Sequence, residues 1–433
     1  MRIGTQPYKG ARDFYPQDMA IQNYMFSTWA KVARSYGYQQ YSFPFLEPTE
    51  LYEAKSGDDL GNKELYSFID KGDTRVSIRP EKTPSLARLV AGCYNQLTWP
   101  VRWFSIEQVW RYERPQRGRR REFYQFDVDI FGANPGESRL ADGEIIQLTV
   151  ETMRQFGASP SQFNILINDR RVTEFFLAEA GIAKDRMSPV MRVIDKKAKA
   201  SNEAFVEMLA ELDLSKDQVM AVIEYTKLTL GELAKFKDES PAVSGLLSLM
   251  DYLKEDENTG PYCQFSPLVI RGIDYYTGAV FEGYDVGSKE NPRALFGGGR
   301  YDNLLDIFGK PKLPAVGVAV GDVTLRDFLE TYQLLSKDIR VGVDVFIALM
   351  DEQYRGYALQ VGTLLRDVGY SVIISLNCDK LDKQFKLADR QQARWVLVIG
   401  EQEVKANQVA VKRLSTGEQS RVAREAVPEF LSK

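Results

Sequence analysis

The sequence predicts an α+β domain, interrupted by a helical insertion and followed by a separate α/β domain. Three stretches carry that prediction. Residues 101–132, VRWFSIEQVWRYERPQRGRRREFYQFDVDIFG, alternate with period two on either side of a basic loop, as two strands of a hairpin do. Residues 170–256 lose that alternation and become lysine- and glutamate-rich helical segments, such as 202–212 and 218–235. From 338 to 433, valine-rich strands (341–348, 371–376, 395–399) alternate with helices (353–368, 380–392), and this βαβα rhythm implies a mainly parallel sheet. The domain limits read from these shifts are 1–169 with 257–330, then 170–256 as the insertion, then 338–433.

Residues 1–16 form a loop-like run ending in KGARDFYP. An amphipathic helix follows at 18–36, with Ile21, Tyr24, Met25, Trp29 and Val32 at three- and four-residue spacing and Gly37 as its stop. Residues 38–45 read as a strand, which Pro44 places at an edge or interface. ELYSFID and TRVSIRP, joined by a KGD turn, form a hairpin over 64–84, and a helix occupies 85–94. The polar run Arg79-Pro80-Glu81-Lys82-Thr83 between them suits ligand contact and helix capping equally. After the basic hairpin come a helix at 142–156 and a strand at 163–168. Past the insertion, 266–284 reads as a strand region in which Arg271 and Asp274 are charges among apolar and aromatic residues. A charge there is costly unless paired or used. A glycine-rich turn at 296–301 leads to a helix at 302–308, and 314–321 is a strand whose glycines permit close approach. A further helix starts at about 322.

Within the central hairpin, Ser105, Glu107, Arg111 and Glu113 share one face and Phe104, Ile106, Trp110 and Tyr112 the other. On the returning strand Gln125, Asp127 and Asp129 lie opposite Tyr124, Phe126, Val128 and Ile130. The apolar face packs on a core, and the polar face meets water or lines a site. The loop 114–121 carries five arginines among eight residues, and the planar guanidinium suits phosphate. A solvated charged tip and a polyanion site both fit that loop.

Composition narrows the chemistry. At 433 residues, 44% hydrophobic and 27% charged, the chain is an ordinary globular one of two or three domains. Cys93, Cys263 and Cys378 lie far apart with no CxxC pair, which argues against disulfides and zinc and for a reducing cytosol. No apolar run approaches the ~20 residues of a membrane span, and the N-terminus lacks a signal-like apolar region. A net charge of −4 gives no global pull toward nucleic acid, leaving local patches to meet one. The chain contains no histidine. That removes Ser-His-Asp and Cys-His nucleophiles, histidine-ligated metals and imidazole acid–base catalysis. Carboxylates, arginine, lysine, tyrosine, substrate groups or a carboxylate-bound metal remain.

Several separated motifs agree on one resemblance. RYERPQRGRRREFYQFDVDIFG resembles motif 2 of class II aminoacyl-tRNA synthetases in its histidyl-tRNA synthetase form. KGARDFYP is similar to that family's N-terminal motif, the Pro44 region to its dimer-forming motif 1, and IRPEKT to its RPEGT loop. IRGIDYYTGAVFE and GGGRYD resemble its two histidine-specific motifs, and KQFKLADRQQARWVLVIGEQE its anticodon-binding domain. The resemblance implies an antiparallel catalytic sheet with flanking helices, a helical insertion, an α/β anticodon-binding domain, a homodimer and a cytoplasmic location. It implies that histidine and ATP, with Mg2+, give histidyl-adenylate, and that the histidyl group then moves to the 3′ end of tRNA(His).

The same matching implies roles for individual residues. Arg111 holds the α-phosphate, Glu113 and Arg119 lie beside the nucleotide, and Arg271 steadies the phosphate charge that develops. Glu81, Thr83, Gln125 and Asp129 hold the amino acid's ammonium and neighbouring groups, and Tyr276 and Tyr301 surround the imidazole. Gln116, Arg117 and Arg120 meet the acceptor end of tRNA. In-line attack at phosphorus depends on positioning and cations, and the substrate carboxylate is itself the nucleophile, so the absent histidine is no obstacle. Three positions depart from the pattern. Motif 3 normally ends GxxR, whereas Gly321-Asp322-Val323-Thr324 ends in threonine, and Arg326 points to another helical face. Lys82 replaces a glycine and is a candidate substitute cation. Asp129 stands where many members carry glutamate. A competing reading is a non-catalytic paralogue such as the ATP phosphoribosyltransferase regulatory subunit. Thr324 favours it, while Arg271, the two histidine-specific motifs and the full C-terminal domain oppose it.

Overall fold

The amphipathic N-terminal segment forms α1 (Pro16–Ser35), and the apolar stripe that it buries, with Met25, Trp29 and Val32, needs a sheet to meet. The computed structural model supplies it, describing residues 3–54, 64–134, 136, 138–271, 275–291, 293–336 and 339–432, with Lys199 described by its backbone only. Asp274 lies outside the described residues. Two compact units divide the chain: Met1–Phe14 with Ile21–Ser336, and Tyr15–Ala20 with Lys337–Lys433.

The strand expected at 38–45 shortens to β1 (Gln39–Gln40), a parallel edge on the main sheet. Pro44 has no amide proton to offer a ladder, and beyond it the chain enters a small second sheet. There β2 (Leu46–Pro48) pairs with β4 (Arg75–Ile78), which also pairs with β3 (Tyr66–Ile69) across the expected hairpin. Then α2 (Thr83–Cys93) leads to the central hairpin, β5 (Val101–Trp110) and β6 (Glu122–Phe131), antiparallel from Val101 opposite Phe131 to Trp110 opposite Glu122. Next come α3 (Ser138–Gln155) and β7 (Phe163–Asp169).

The insertion is helical, as its composition predicts, from Arg170–Glu179 to Pro241–Glu255. The single helix expected over 218–235 is broken. Lys216–Tyr225 ends, and Thr229 caps a new turn at Leu230–Leu233 through a reciprocal bond with Glu232. The sheet resumes with β8 (Cys263–Phe265), β9 (Ala279–Asp285), β10 (Phe296–Arg300) and β11 (Ala315–Gly321), followed by α4 (Asp322–Thr331). The eight strands run in the order β1-β5-β6-β11-β10-β9-β7-β8, antiparallel except at the two edge pairs.

Two sequence expectations fail here, in opposite directions. FGGGRY was expected as a turn, yet it is the fully buried strand β10, between β9 and β11. Its glycines serve close approach rather than turning: a Cβ on Gly298 would lie 2.3 Å from the Gly317 carbonyl oxygen and 2.5 Å from Phe281. Conversely, the aromatic run after 265 leaves the strand, so Arg271 sits in the β8–β9 connection with a left-handed φ of 58°. A non-glycine residue there costs of order 1–3 kcal/mol, and such outliers concentrate at functional sites.

One face of the sheet carries Phe104, Phe126, Val128 and Ile130 into a core shared with α1 and α3, where Trp29 stacks on Phe126 at 5.4 Å between centroids. The second unit has its own sheet. β12 (Val345–Leu349) pairs in parallel with β13 (Val372–Ile374) and β14 (Trp395–Ile399), and an antiparallel pair, β15 (Gln408–Arg413) and β16 (Gln419–Ala423), extends it. Helices α5 (Arg355–Asp367) and α6 (Leu381–Arg390) fall where the βαβα rhythm predicts them. Gly298→Ala should lower stability by about 1–3 kcal/mol through overpacking, read as an earlier urea midpoint at unchanged slope.

Candidate active site

With the apolar side chains of β5 and β6 committed to the helical layer, Ser105, Gln125, Asp127 and Asp129 open on the opposite face of the sheet. A cavity of about 640 Å³ lies there. Around it gather Glu81, Thr83, Arg111, Glu113, Arg119, Arg120, Gln125, Asp129, Arg271, Tyr276 and Tyr301, drawn from segments that are far apart in the sequence. Two expected residues stay outside its lining. Gln116 closes the hairpin tip against Arg119, and exposed Arg117 pairs with Glu290 at 3.1 Å.

The floor is acidic and buried. Lys82, at the start of α2, is nearly inaccessible, and its ammonium lies 2.8 Å from Asp127 and donates to the Gln125 carbonyl at 2.5 Å. Both charges are out of water, so each requires the other. Lys82 is therefore a structural counter-ion, and its expected role as a substitute cation for ATP is withdrawn. Tyr301 donates a short hydrogen bond to Asp129. Burial pushes the Asp129 carboxyl up to about 8, the nearby Asp127 adds to the rise, and the Tyr301 bond opposes it. Gly317 faces Asp129 across the β6–β11 ladder, and a Cβ there would lie 2.0 Å from the carboxylate oxygen. Tyr275 donates to Glu81 at 3.4 Å. The side-chain oxygen of Gln125 is buried with no hydrogen-bond partner among the described residues.

The other end is cationic. Arg111 donates to the Pro80 carbonyl at 2.9 Å and lies over the Phe123 ring, and Arg119 pairs closely with Glu113. Arg271 pairs with Glu282 at 3.2 Å and lies over the Tyr276 ring. Its guanidinium fills the space above Gly297, where a Cβ would meet Nη1 at 1.3 Å. Arg300 of the GGGRYD motif turns away, into a buried pair with Asp142 at 2.7 Å. Sequence reasoning missed Tyr275, Glu282, Tyr284, Asp195 and Arg293, which also line the cavity. Glu282 and Tyr284 share one face of β9 and were findable by period two, whereas Asp195 ends an amphipathic helix of the insertion and Arg293 lies in a connection without a periodic signal.

An antiparallel sheet bearing the cavity, an arginine-rich hairpin and a separate α/β unit match known proteins. The family model for histidyl-tRNA synthetase matches residues 10–324, and that for the anticodon binding domain matches 344–433. A histidine–tRNA ligase of Leptospira biflexa is 38% identical over 427 residues, covering 96% of this chain and 95% of the relative. A histidyl-tRNA synthetase structure from Nostoc superposes with a TM-score of 0.84 at 24% identity, covering 100% of this chain and 99% of that one. A structure described as an ATP phosphoribosyltransferase regulatory subunit/histidyl-tRNA synthetase from Bacillus halodurans gives 0.76 at 22% identity, covering 93% and 100%. These last two likenesses speak to the fold alone.

Fold and site together define a class II aminoacyl-tRNA synthetase. Within that class the chain belongs to the histidyl-tRNA synthetase family, and its activity is histidine–tRNA ligation. The regulatory paralogue is not better supported.

Asp129 gives a pH test. The native carboxyl keeps its proton to about pH 8, whereas the unfolded chain releases it near 3.8, so native stability falls as pH rises between those values. Asp129→Asn cannot lose that proton. Its stability advantage over the parent should grow from pH 5 to about 8 and level off above, as read by paired thermal melts.

Proposed function

We propose that the cavity binds histidine over its acidic, tyrosine-lined floor and ATP at its arginine end. The observation that carries this reading is the convergence of Arg111 and Arg271 with Glu81, Gln125, Asp129, Tyr276 and Tyr301 in one cavity on one sheet face. The unpartnered Gln125 oxygen is a ready acceptor for the substrate ammonium, with Glu81 and Thr83 beside it. The Tyr301–Asp129 bond groups Asp129 with the imidazole end, together with Tyr276. Histidine's carboxylate attacks the α-phosphorus, pyrophosphate leaves, and Arg111 and Arg271 meet the charge on the reacting phosphate. Glu113 and Arg119 meet the nucleotide. Mg2+ arrives with ATP as the Mg–ATP substrate, held mainly by phosphate and water.

In the second step the 3′ end of tRNA(His) reaches the adenylate past the hairpin tip, where Gln116, Arg117 and Arg120 contact its backbone. We assign 1–169 with 257–330 to the catalytic domain, 170–256 to the insertion and 338–433 to anticodon binding. A homodimer is supported by Phe45, Leu46, Phe68 and Ile69, exposed apolar residues on or beside the small sheet. Three unpaired cysteines support a reducing compartment, the cytoplasm.

Histidine-dependent exchange of pyrophosphate into ATP tests the reading directly, and well-folded protein without exchange would overturn it. In that assay Arg271→Ala should lower kcat about 100-fold or more while histidine KM moves little; a pure rise in KM would remove the proposed role. Replacing Gln116 and Arg117 together with alanine should cut aminoacylation and flatten its salt dependence while leaving pyrophosphate exchange near the parent rate. Equal losses in both assays would place the tip on ATP instead.

A further inference from the structure

By the resemblance to motif 3, Thr324 stands where an arginine is expected, and the cavity wall beside it carries another cation. Thr324 opens the first turn of α4, with its hydroxyl donating to the Leu295 carbonyl at 3.2 Å. Arg326 pairs with Glu330 at 2.8 Å along the helix and does not line the cavity. Arg293, from the β9–β10 connection, does line it. A Cβ built on Gly118 at the tip of the basic hairpin would lie 3.0 Å from Arg293 Cδ and 3.5 Å from Thr324 Cγ2. The hairpin tip, Arg293 and Thr324 therefore meet at one point on the cavity wall.

The neighbouring arginines are committed to protein partners: Arg111 to the Pro80 carbonyl, Arg119 to Glu113 and Arg271 to Glu282. Arg120 also lines the cavity, with its charge felt by Asp327. Among the described residues no carboxylate closes an ion pair with Arg293, and no hydrogen bond fixes its guanidinium. Burial and the facing Arg119 charge hold its pKa below the usual arginine value, with Glu113 acting the other way. Arg119 and Arg293 repel each other across the cavity wall, Glu113 offsets part of that repulsion, and phosphate oxygens are suited to offset the rest.

We propose that Arg293 grips the terminal phosphates of ATP, taking the place of the arginine that Thr324 displaces. Thr324 and Arg293 then form one exchangeable unit: a short side chain on α4 leaves room for a long cation arriving from the adjoining loop. The proposal rests on the ATP end assigned above.

The test is histidine-dependent pyrophosphate exchange with ATP and histidine varied separately. Arg293→Met keeps the stem that packs beside Gly118 and removes the charge. It should raise ATP KM at least ten-fold with histidine KM within two-fold and thermal stability unchanged. The double variant Arg293→Met/Thr324→Arg returns a cation from the helix side and should recover at least half of that loss on a logarithmic scale. An ATP KM that rises less than ten-fold in Arg293→Met, or one that rises in step with histidine KM, overturns the proposal. If the parent protein shows no exchange, the functional reading fails instead. Calorimetric titration of parent and Arg293→Met with Mg–ATP then decides the arginine alone, with equal affinities counting against it.

Discussion

The structure turns on the burial of a polar row, Gln125, Asp127 and Asp129, on the inward face of a central strand. Two carboxylates out of water beside each other are unfavourable unless something offsets them. Lys82 answers one of them directly, and its position at the start of α2 makes that ion pair a joint between helix and sheet. The same short loop is held twice more: Arg79 pairs with Glu107 at 2.8 Å, and Arg111 donates to the Pro80 carbonyl. Glu81 and Thr83 are thereby placed at the cavity by bonds made by their neighbours. Removing Lys82 would leave Asp127 buried and alone, a change that typically costs about 3–5 kcal/mol.

Glycine supplies the other half of the arrangement. β10 and β11 pass under the cavity with side chains absent where Arg271, Asp129 and Tyr276 need the room, at Gly297, Gly317 and Gly299. The sheet therefore contributes little volume and much flatness, and the charged groups lie down on backbone rather than standing on it. Polar groups set in advance within a partly closed cavity need no reorganisation when charge develops on a substrate. The expense is carried in the free protein, as the strained backbone at Arg271, the facing Arg119 and Arg293, and the protonated Asp129.

Much of this was legible in residue order, and the failures have identifiable causes. The central hairpin and both its faces follow from period-two alternation, and the helices of the second unit from the βαβα rhythm. The glycine run of β10 was misread because glycine signals turns and close approach alike, and only the flanking strands decide between them. Of the strand region expected over 266–284, Ala279 onward is β9, while the stretch carrying Arg271 is connection, because aromatic and β-branched residues mark any well-packed surface. Motif matching gathered most of the cavity lining. It could not foresee that Lys82 is consumed by Asp127, since that pairing depends on burial. Arg293 stood in a glycine- and proline-containing loop where a lone arginine reads as solvated.

The bond between Tyr301 and Asp129 sits in a protein that has no histidine anywhere. Any histidine side-chain resonance observed in its magnetic resonance spectra must then come from the amino acid it has bound. The ligand becomes its own probe, labelled by nature against a silent background. Its tautomer and protonation can be followed through activation and transfer without altering the protein at all.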